Sequence, residues 1–219
     1  RVRAIGDRLD ARPTNGSPLF AEPTAPLVHV YPDPAELGRN VRPRLAVAAD
    51  PAAFLDAIGD VPSRPAWLPW AASAHHANLA WHGSDGLLDD VVRGMRAMLP
   101  EDAIVTNGAG NFTRPLHRAF RYHRPGRQLA PCGGSMGYGL PAAVAAALEH
   151  PDRAVVGVAG DGDLMMTVQE LATIAHHGLG VVVLVVDNAG YGTIRTHQER
   201  RYPGRPSGTA LTSPDFVQL

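Results

Sequence analysis

The chain has 219 residues, which is room for one domain and part of a second. Its 20 basic and 21 acidic residues give a net charge of -1, which excludes the basic excess of a nucleic-acid binder or a polybasic membrane anchor. With 45% hydrophobic and 19% charged residues, the composition is typical of a packed globular protein.

None of the basic residues is a lysine, which excludes a Walker-A phosphate loop and a pyridoxal-phosphate Schiff base. The single cysteine, Cys132, excludes an internal disulfide and a Cys-rich zinc site, so a cytoplasmic setting is expected. No apolar run is long enough to span a membrane, and the first residues do not have the basic-then-apolar pattern of a signal peptide. Because the chain opens at Arg1 and closes at Leu219 in what reads as the start of a helix, we expect a fragment of a longer polypeptide.

Residues 1–60 predict two short strands, at 27–30 and 45–48, and then a helix. Asp50 is a suitable N-cap for that helix, and Pro51 suits its first position. This pattern indicates strands and a helix that do not form a full sheet of their own. Residues 61–82 are rich in Pro, Trp, Ser and His, and their early prolines predict an interdomain linker.

Residues 83–219 alternate between helical segments and fully apolar strands. The predicted helices are 87–98, 141–149 and 168–177, and the predicted strands are 103–106, 154–158 and 181–186. Continuously apolar strands separated by helices are typical of a parallel sheet covered on both faces. The predicted fold class is therefore α/β.

A glycine-rich segment follows each predicted strand of this second part. These segments are NGAGNF (107–112), AGDGDLMM (159–166) and DNAGYGTIR (187–195). In parallel sheets, ligands bind beyond the carboxyl ends of the strands, so we expect the functional site where these three segments meet.

The second and third segments carry side chains suited to a divalent cation. Asn188 follows 27 residues after Asp161, one helix and one strand later, which brings both to the same edge of the sheet. A carboxylate and an amide oxygen suit Mg²⁺, which shares its octahedron with phosphate oxygens. Glycine amides and a helix N-terminus can donate to those phosphates, and Thr167 with Glu170 predicts a capping box for that helix. The residues predict a Mg²⁺-diphosphate site without lysine.

The stretch from Gly160 to Arg195 resembles the thiamine-diphosphate signature, which opens with GDG and closes with an Asn after an apolar strand. The usual Asn-Asn is Asp187-Asn188 here. The resemblance implies that the metal is held by Asp161, Asn188 and the carbonyl oxygen of Gly190.

The resemblance continues upstream and is greatest to acetolactate synthase large subunits. In GSMGYGLPAAVAAAL (134–148), Met136 matches the apolar residue that wedges between the two rings of the cofactor, and AGNF (109–112) matches a diphosphate-contacting loop. The implied cofactor-binding residues are Gly110, Asn111, Gly134, Met136, Gly160, Asp161, Gly162, Asp163, Asn188, Gly190, Tyr191, Gly192 and Thr193.

Residues 1–60 are similar to the end of the family's central domain, and residues 83–219 to its diphosphate-binding domain, truncated at the C-terminus. Tyr31 and Pro32 replace the acidic pattern of flavin-binding members, which argues against FAD without closing that alternative. The implied cofactors are thiamine diphosphate and Mg²⁺.

The implied activity is decarboxylation or carboligation of a 2-oxo acid such as pyruvate, in a homo-oligomer whose site is shared between subunits. Nucleic-acid and membrane partners are not expected. The family's ylide-activating Glu lies on a separate N-terminal domain, so no catalytic residue is assigned in this chain, which alone should be inactive.

Four alternatives remain open at this point. Gly137, Gly139 and Ala142 fit the NAD fingerprint, with Asp161 following 19 residues after Ala142, but the segment before Gly137 is a poor strand. Residues 133–137 match the hydrolase elbow G-x-S-x-G, but the predicted helix starts too late. A decarboxylase without ligase activity is the third reading, because the Gln-Trp that often follows the signature in acetolactate synthases is absent. A regulatory or scaffold subunit that keeps the cofactor loops is the fourth, although the intact Asp161 and Asn188 argue against it.

Overall fold

The computed structural model describes residues 2–10, 26–60, 68–80 and 86–219. The chain divides into two compact units, Arg1–Ala72 and Ser73–Leu219, and each is described by itself. The division falls inside the residues predicted as a linker.

The first unit contains a parallel three-stranded sheet in the order β1-β2-β3, formed by β1 (Val2–Ile5), β2 (Leu27–Tyr31) and β3 (Leu45–Ala48). β2 is the central strand, with Ala4 and Ala46 paired on either side of His29. The expectation that this part lacks a full sheet was wrong. β1 was missed because its four residues, VRAI, include an arginine and an alanine and are too few for a clear pattern.

Helix α1 (Pro51–Ile58) follows β3 and starts as predicted. The Asp50 Oδ1 atom accepts hydrogen bonds from the backbone amides of Ala52, at 2.8 Å, and Ala53, at 3.2 Å. Pro51 occupies the first turn, where its missing N–H leaves no hydrogen bond unmade.

Helix α2 (Leu68–Ala80) lies within the predicted linker, so that segment is not irregular throughout. Pro69 does not interrupt it because the residue stands in the first helical turn. Residues 61–67, which include Pro62 and Pro65, lie outside the described residues.

The second unit is built on a four-stranded parallel sheet in the order β5-β4-β6-β7. The strands are β4 (Ile104–Asn107), β5 (Gln128–Leu129), β6 (Val155–Gly160) and β7 (Val181–Val186). The helices are α3 (Leu87–Met98), α4 (Thr113–Ala119), α5 (Gly139–Glu149), α6 (Asp161–Leu164), α7 (Glu170–His177) and α8 (Gly192–Arg201). The predicted α/β class is confirmed.

The central strands β4 and β6 are buried along their whole length; β6 is apolar throughout, whereas β4 ends in the polar residues Thr106 and Asn107. One core cluster contains Val105, Val156 and Val158 from the strands and Leu116 from α4. The other contains strand residues and the small side chains of α5; its buried members are Ile104, Ala143, Ala146, Ala147 and Val155. A hydrogen bond of 2.6 Å from the Thr106 hydroxyl to the Gly139 carbonyl oxygen joins the start of α5 to β4.

The capping box predicted at the start of α7 does not form. α7 begins at Glu170 rather than at residue 168, and no side chain caps it. The Thr167 hydroxyl instead donates to the Gly137 carbonyl oxygen at 3.0 Å, and Glu170 Oε2 accepts from the Thr173 hydroxyl at 2.9 Å. Thr167 thus bonds to a residue 30 positions away, and Glu170 to a neighbour on its own helix, instead of forming the predicted box.

Among the described residues, no helix is both long and apolar enough to cross a membrane.

Candidate functional site

The loops after β4, β6 and β7 meet at the carboxyl edge of the second sheet, as predicted. The register pairs Gly160 with Val186, so the residues that follow β6 and β7 emerge side by side. Together the loops enclose a cavity of about 480 Å³, counted with its open mouth.

All but one of the predicted cofactor-binding residues line this cavity. They are Gly110, Asn111, Met136, Gly160, Asp161, Gly162, Asp163, Asn188, Gly190, Tyr191, Gly192 and Thr193. The exception is Gly134, which is not among the lining residues. Sequence reasoning missed Ala109, Phe112 and Ile194, each next to a predicted residue in the chain, and Val186, which ends β7 two residues before Asn188.

Asp161 connects the loops that follow β6 and β7. Its side chain is 3% exposed, and its Oδ2 atom accepts a hydrogen bond of 2.8 Å from the Gly190 backbone amide. The Ser213 hydroxyl also donates to Oδ2, at 3.5 Å. The contact with Gly190 holds the predicted metal-binding loop against the buried carboxylate.

The predicted metal ligands offer only hard oxygen atoms. Asp161 supplies a carboxylate, exposed Asn188 a side-chain amide oxygen, and Gly190 a backbone carbonyl oxygen. Few protein oxygens and room for phosphate oxygens fit Mg²⁺. In the described part of the chain, no three His, Cys, Asp or Glu side chains come together as a metal site.

A segment near the end of the chain closes over the third loop. The backbone amide of Tyr191 donates to the Thr209 carbonyl oxygen at 2.8 Å, and that of Leu211 donates to the Ala189 carbonyl oxygen at 2.9 Å. The Ser213 hydroxyl then donates to Asp187 Oδ1 at 3.2 Å. Sequence reasoning missed this segment because long-range backbone pairing leaves no local pattern.

The first loop is joined to the third by Thr193, in the first turn of α8. The Asn111 backbone amide donates to the Thr193 hydroxyl at 2.9 Å. Gly192 and Thr193 place the N-terminal amides of α8 at the cavity, where they can meet an anion.

Asp163 lines the cavity, but its carboxylate is engaged with the backbone. Its Oδ1 atom accepts hydrogen bonds from the amides of Gly137, at 2.8 Å, and Ala109, at 3.3 Å. Burial raises the pKa of the Asp163 carboxyl, while the backbone amides of Gly137, Ala109 and Gly160 act in the opposite direction. The Asp163 carboxylate is therefore better explained as an acceptor for backbone amides than as a group that contacts an anionic ligand.

A second polar cluster lies beside the first loop. Buried Asn107 presents Oδ1 to Gln128 Nε2, at 3.3 Å, and to His117 Nε2, at 3.4 Å. Burial lowers the pKa of His117, which favours its neutral form. Sequence reasoning did not single out these residues because their spacing follows no known motif.

The local structure opposes two of the alternative readings. β5 ends at Leu129, well before Gly137, so no strand leads into the proposed NAD fingerprint. α5 begins at Gly139 rather than directly after Ser135, so the hydrolase elbow lacks its helix.

The family is shown by a match to the model for the thiamine pyrophosphate enzyme C-terminal domain, which binds that cofactor, over residues 108–219. The chain belongs to the thiamine pyrophosphate enzyme family, in which thiamine pyrophosphate is another name for thiamine diphosphate. The predicted resemblance is thereby confirmed.

Its relatives include acetolactate synthase large subunits. The chain is 34% identical over 229 residues to the subunit from Parasynechococcus marenigrum (strain WH8102), covering 99% of this chain and 37% of that protein. It is 32% identical over 222 residues to the isozyme 2 large subunit of Escherichia coli (strain K12), covering 99% of this chain and 40% of that protein. The chain thus spans less than half the length of these relatives.

A solved structure also shares the fold. The thiamine diphosphate-dependent 4-hydroxybenzoylformate decarboxylase of Rhodococcus jostii RHA1 superposes with a TM-score of 0.68 at 25% identity, covering 89% of this chain and 37% of that one.

Proposed function

We propose that the cavity of the second unit binds thiamine diphosphate together with Mg²⁺, as part of an enzyme that acts on a 2-oxo acid such as pyruvate. The observation that carries this proposal is the contact between Asp161 Oδ2 and the Gly190 amide. It joins two of the predicted metal ligands at the edge of the sheet where ligands bind in α/β folds.

The chain's own residues fit an anionic cofactor with a bound cation. Asp161, Asn188 and Gly190 would hold the metal, and the amides at the start of α8 would donate to the diphosphate. Met136 and Phe112 supply apolar surface in the same cavity. The cofactor itself supplies the carbanion-stabilising chemistry, while the protein binds and orients it.

The relatives favour an acetolactate synthase-like reaction, because two with that name match 99% of this chain. The similar decarboxylase structure keeps decarboxylation without carboligation as the second candidate. A shared site in a homo-oligomer and a cytosolic setting belong to the same proposal. FAD is not part of the proposal, because Tyr31, the last residue of β2, and the following Pro32 lack the acidic pattern of flavin-binding members.

Calorimetric titration of the 219-residue chain with thiamine diphosphate, with and without Mg²⁺, tests the proposal. We expect saturable binding that depends on Mg²⁺, and no binding in a parallel titration with NAD. Binding of NAD alone would favour the dinucleotide reading, and absence of thiamine diphosphate binding would contradict the proposal for this chain.

The chain alone should not turn over a 2-oxo acid. The resemblance places the activating Glu on another domain, and Glu170 cannot replace it, since its carboxylate lies on α7 with Thr173 and does not line the cavity. Pyruvate consumption at saturating thiamine diphosphate and Mg²⁺ should equal that of a protein-free control. Substantial consumption would place the activating group within these 219 residues.

A further inference from the structure

One buried carboxylate accepts hydrogen bonds from two separate loops of the candidate site. Asp163 is 3% exposed, and its Oδ1 atom accepts from the amide of Ala109, in the loop after β4, and from that of Gly137, in the turn before α5. These donors lie 54 and 26 residues away in sequence. The carboxylate is therefore a tertiary link rather than part of a local turn.

Two glycines make room for this link. A Cβ atom on Gly108 would overlap the Asp163 carboxylate, so the loop after β4 can approach only because residue 108 has no side chain. Gly137 has φ +81°, and a Cβ there would lie 2.9 Å from the Met166 Cβ atom. Both loops are thus shaped to bring their amides to Asp163.

Two hydrogen bonds to Gly137 fix the turn before α5. The Gly137 amide donates to Asp163 at 2.8 Å, and the Gly137 carbonyl oxygen accepts from the Thr167 hydroxyl at 3.0 Å. The backbone amide and the carbonyl oxygen of Gly137 are thereby both paired with side chains of the segment that follows β6. Met136, which lines the cavity, directly precedes this fixed residue.

We propose that Asp163 is a positioning residue, which joins the loop carrying Gly110 and Asn111 to the turn carrying Met136 and so fixes both against the cofactor cavity. The part of this inference that concerns the cofactor rests on the proposed function. Asp163 shares helix α6 with Asp161, so one short helix presents the predicted metal ligand and this fastening side chain.

Acceptor geometry, rather than negative charge, is the feature that this role requires. A diphosphate in the same cavity would repel a second carboxylate, whereas backbone amides are satisfied by any well-placed oxygen. The side chain of Asn keeps one such oxygen in nearly the same position, and that of Leu keeps the approximate volume without an acceptor. Asp163→Asn and Asp163→Leu therefore separate the two properties.

The first measurement needs no ligand. In the wild-type 219-residue chain, amide hydrogen exchange at Gly137 and Ala109 should be slower than at the exposed turn residue Gly133. Exchange at both amides should quicken about tenfold in Asp163→Leu and stay within about threefold of wild type in Asp163→Asn. Unprotected amides in the wild-type chain would overturn the inference whether or not the Leu variant folds.

The second measurement is thiamine diphosphate affinity, with circular dichroism confirming that each variant is folded. Asp163→Leu should weaken binding about tenfold or more, and excess Mg²⁺ should not restore it, because the metal ligands are intact. Asp163→Asn should bind within about threefold of wild type. Asp152→Leu, which alters an exposed turn before β6, is the matched control and should leave both readouts unchanged.

The outcomes separate the two claims. If the wild-type chain binds no thiamine diphosphate, the proposed function fails, and the exchange rates still decide whether Asp163 joins the two loops. If binding occurs but Asp163→Leu matches wild type, the positioning role is overturned. If Asp163→Asn fails as badly as Asp163→Leu, the acceptor argument is wrong.

Discussion

Replacement of Asp161 by alanine is expected to abolish the Mg²⁺-dependent part of thiamine diphosphate binding. The side chain supplies the only carboxylate among the predicted metal ligands, and its Oδ2 atom holds the Gly190 amide at 2.8 Å. Because loss of an outer-shell partner of a metal site commonly costs 10- to 100-fold in affinity, loss of a direct ligand should cost about 100-fold or more. Calorimetry with saturating Mg²⁺ measures this difference.

The same titration in EDTA distinguishes loss of the metal from loss of the fold. Without a divalent cation, wild type and Asp161→Ala should bind the cofactor equally weakly. Asp152→Ala, which removes an exposed carboxylate from the opposite end of β6, should retain wild-type affinity and metal dependence. If Asp161→Ala keeps its Mg²⁺ dependence, the carboxylate does not bind the metal.

Replacement of Leu116 by alanine is expected to destabilise the second unit by about 2–5 kcal/mol. Leu116 is fully buried, in a cluster with Val92, Val105 and Val158. Removing its methyl groups leaves a cavity between α4 and the sheet that surrounding side chains can fill only in part. Urea denaturation followed by circular dichroism gives the change in the free energy of unfolding.

Leu148 offers a matched control because it is 52% exposed on α5. Leu148→Ala should change the free energy of unfolding by about 0.5 kcal/mol or less. Equal losses in the two variants would mean that the core does not lie between α4 and the sheet.

Strands β6 and β7 were predictable because their sequences, VVGVAG and VVVLVV, are runs without a polar side chain. β7 matches its prediction at both ends, and β6 differs by one residue at the start and two at the end. In a parallel sheet this placement alone brings the loops after these strands together, which is why Asp161 and Asn188 were found from their spacing.

Helices that depend on tertiary contacts were not predictable. α4 has the sequence TRPLHRA, and its proline, two arginines and histidine favour a loop until Leu116 is buried against the sheet. α8 begins with Gly192, directly after the loop that follows β7, and has no apolar face. Neither carries the periodicity on which helix prediction depends.

Side-chain partners were the least predictable part of the site. Thr167 and Glu170 have the spacing of a capping box, yet the Thr167 hydroxyl bonds to Gly137, which is 30 residues away. Asp163 was assigned to the cofactor by its place in the signature, whereas its oxygen accepts from the backbone amides of two other loops. A local sequence motif cannot show which of several possible hydrogen-bond partners the folded chain brings closest to a given side chain.

A crystal structure of the chain with thiamine diphosphate and Mn²⁺, a stand-in for Mg²⁺ whose anomalous scattering locates it, tests the central claim most directly. We expect the manganese peak in the second unit's cavity, bound to Asp161, Asn188 and the Gly190 carbonyl oxygen, with the diphosphate next to it. A manganese peak or diphosphate located away from these residues would contradict the account.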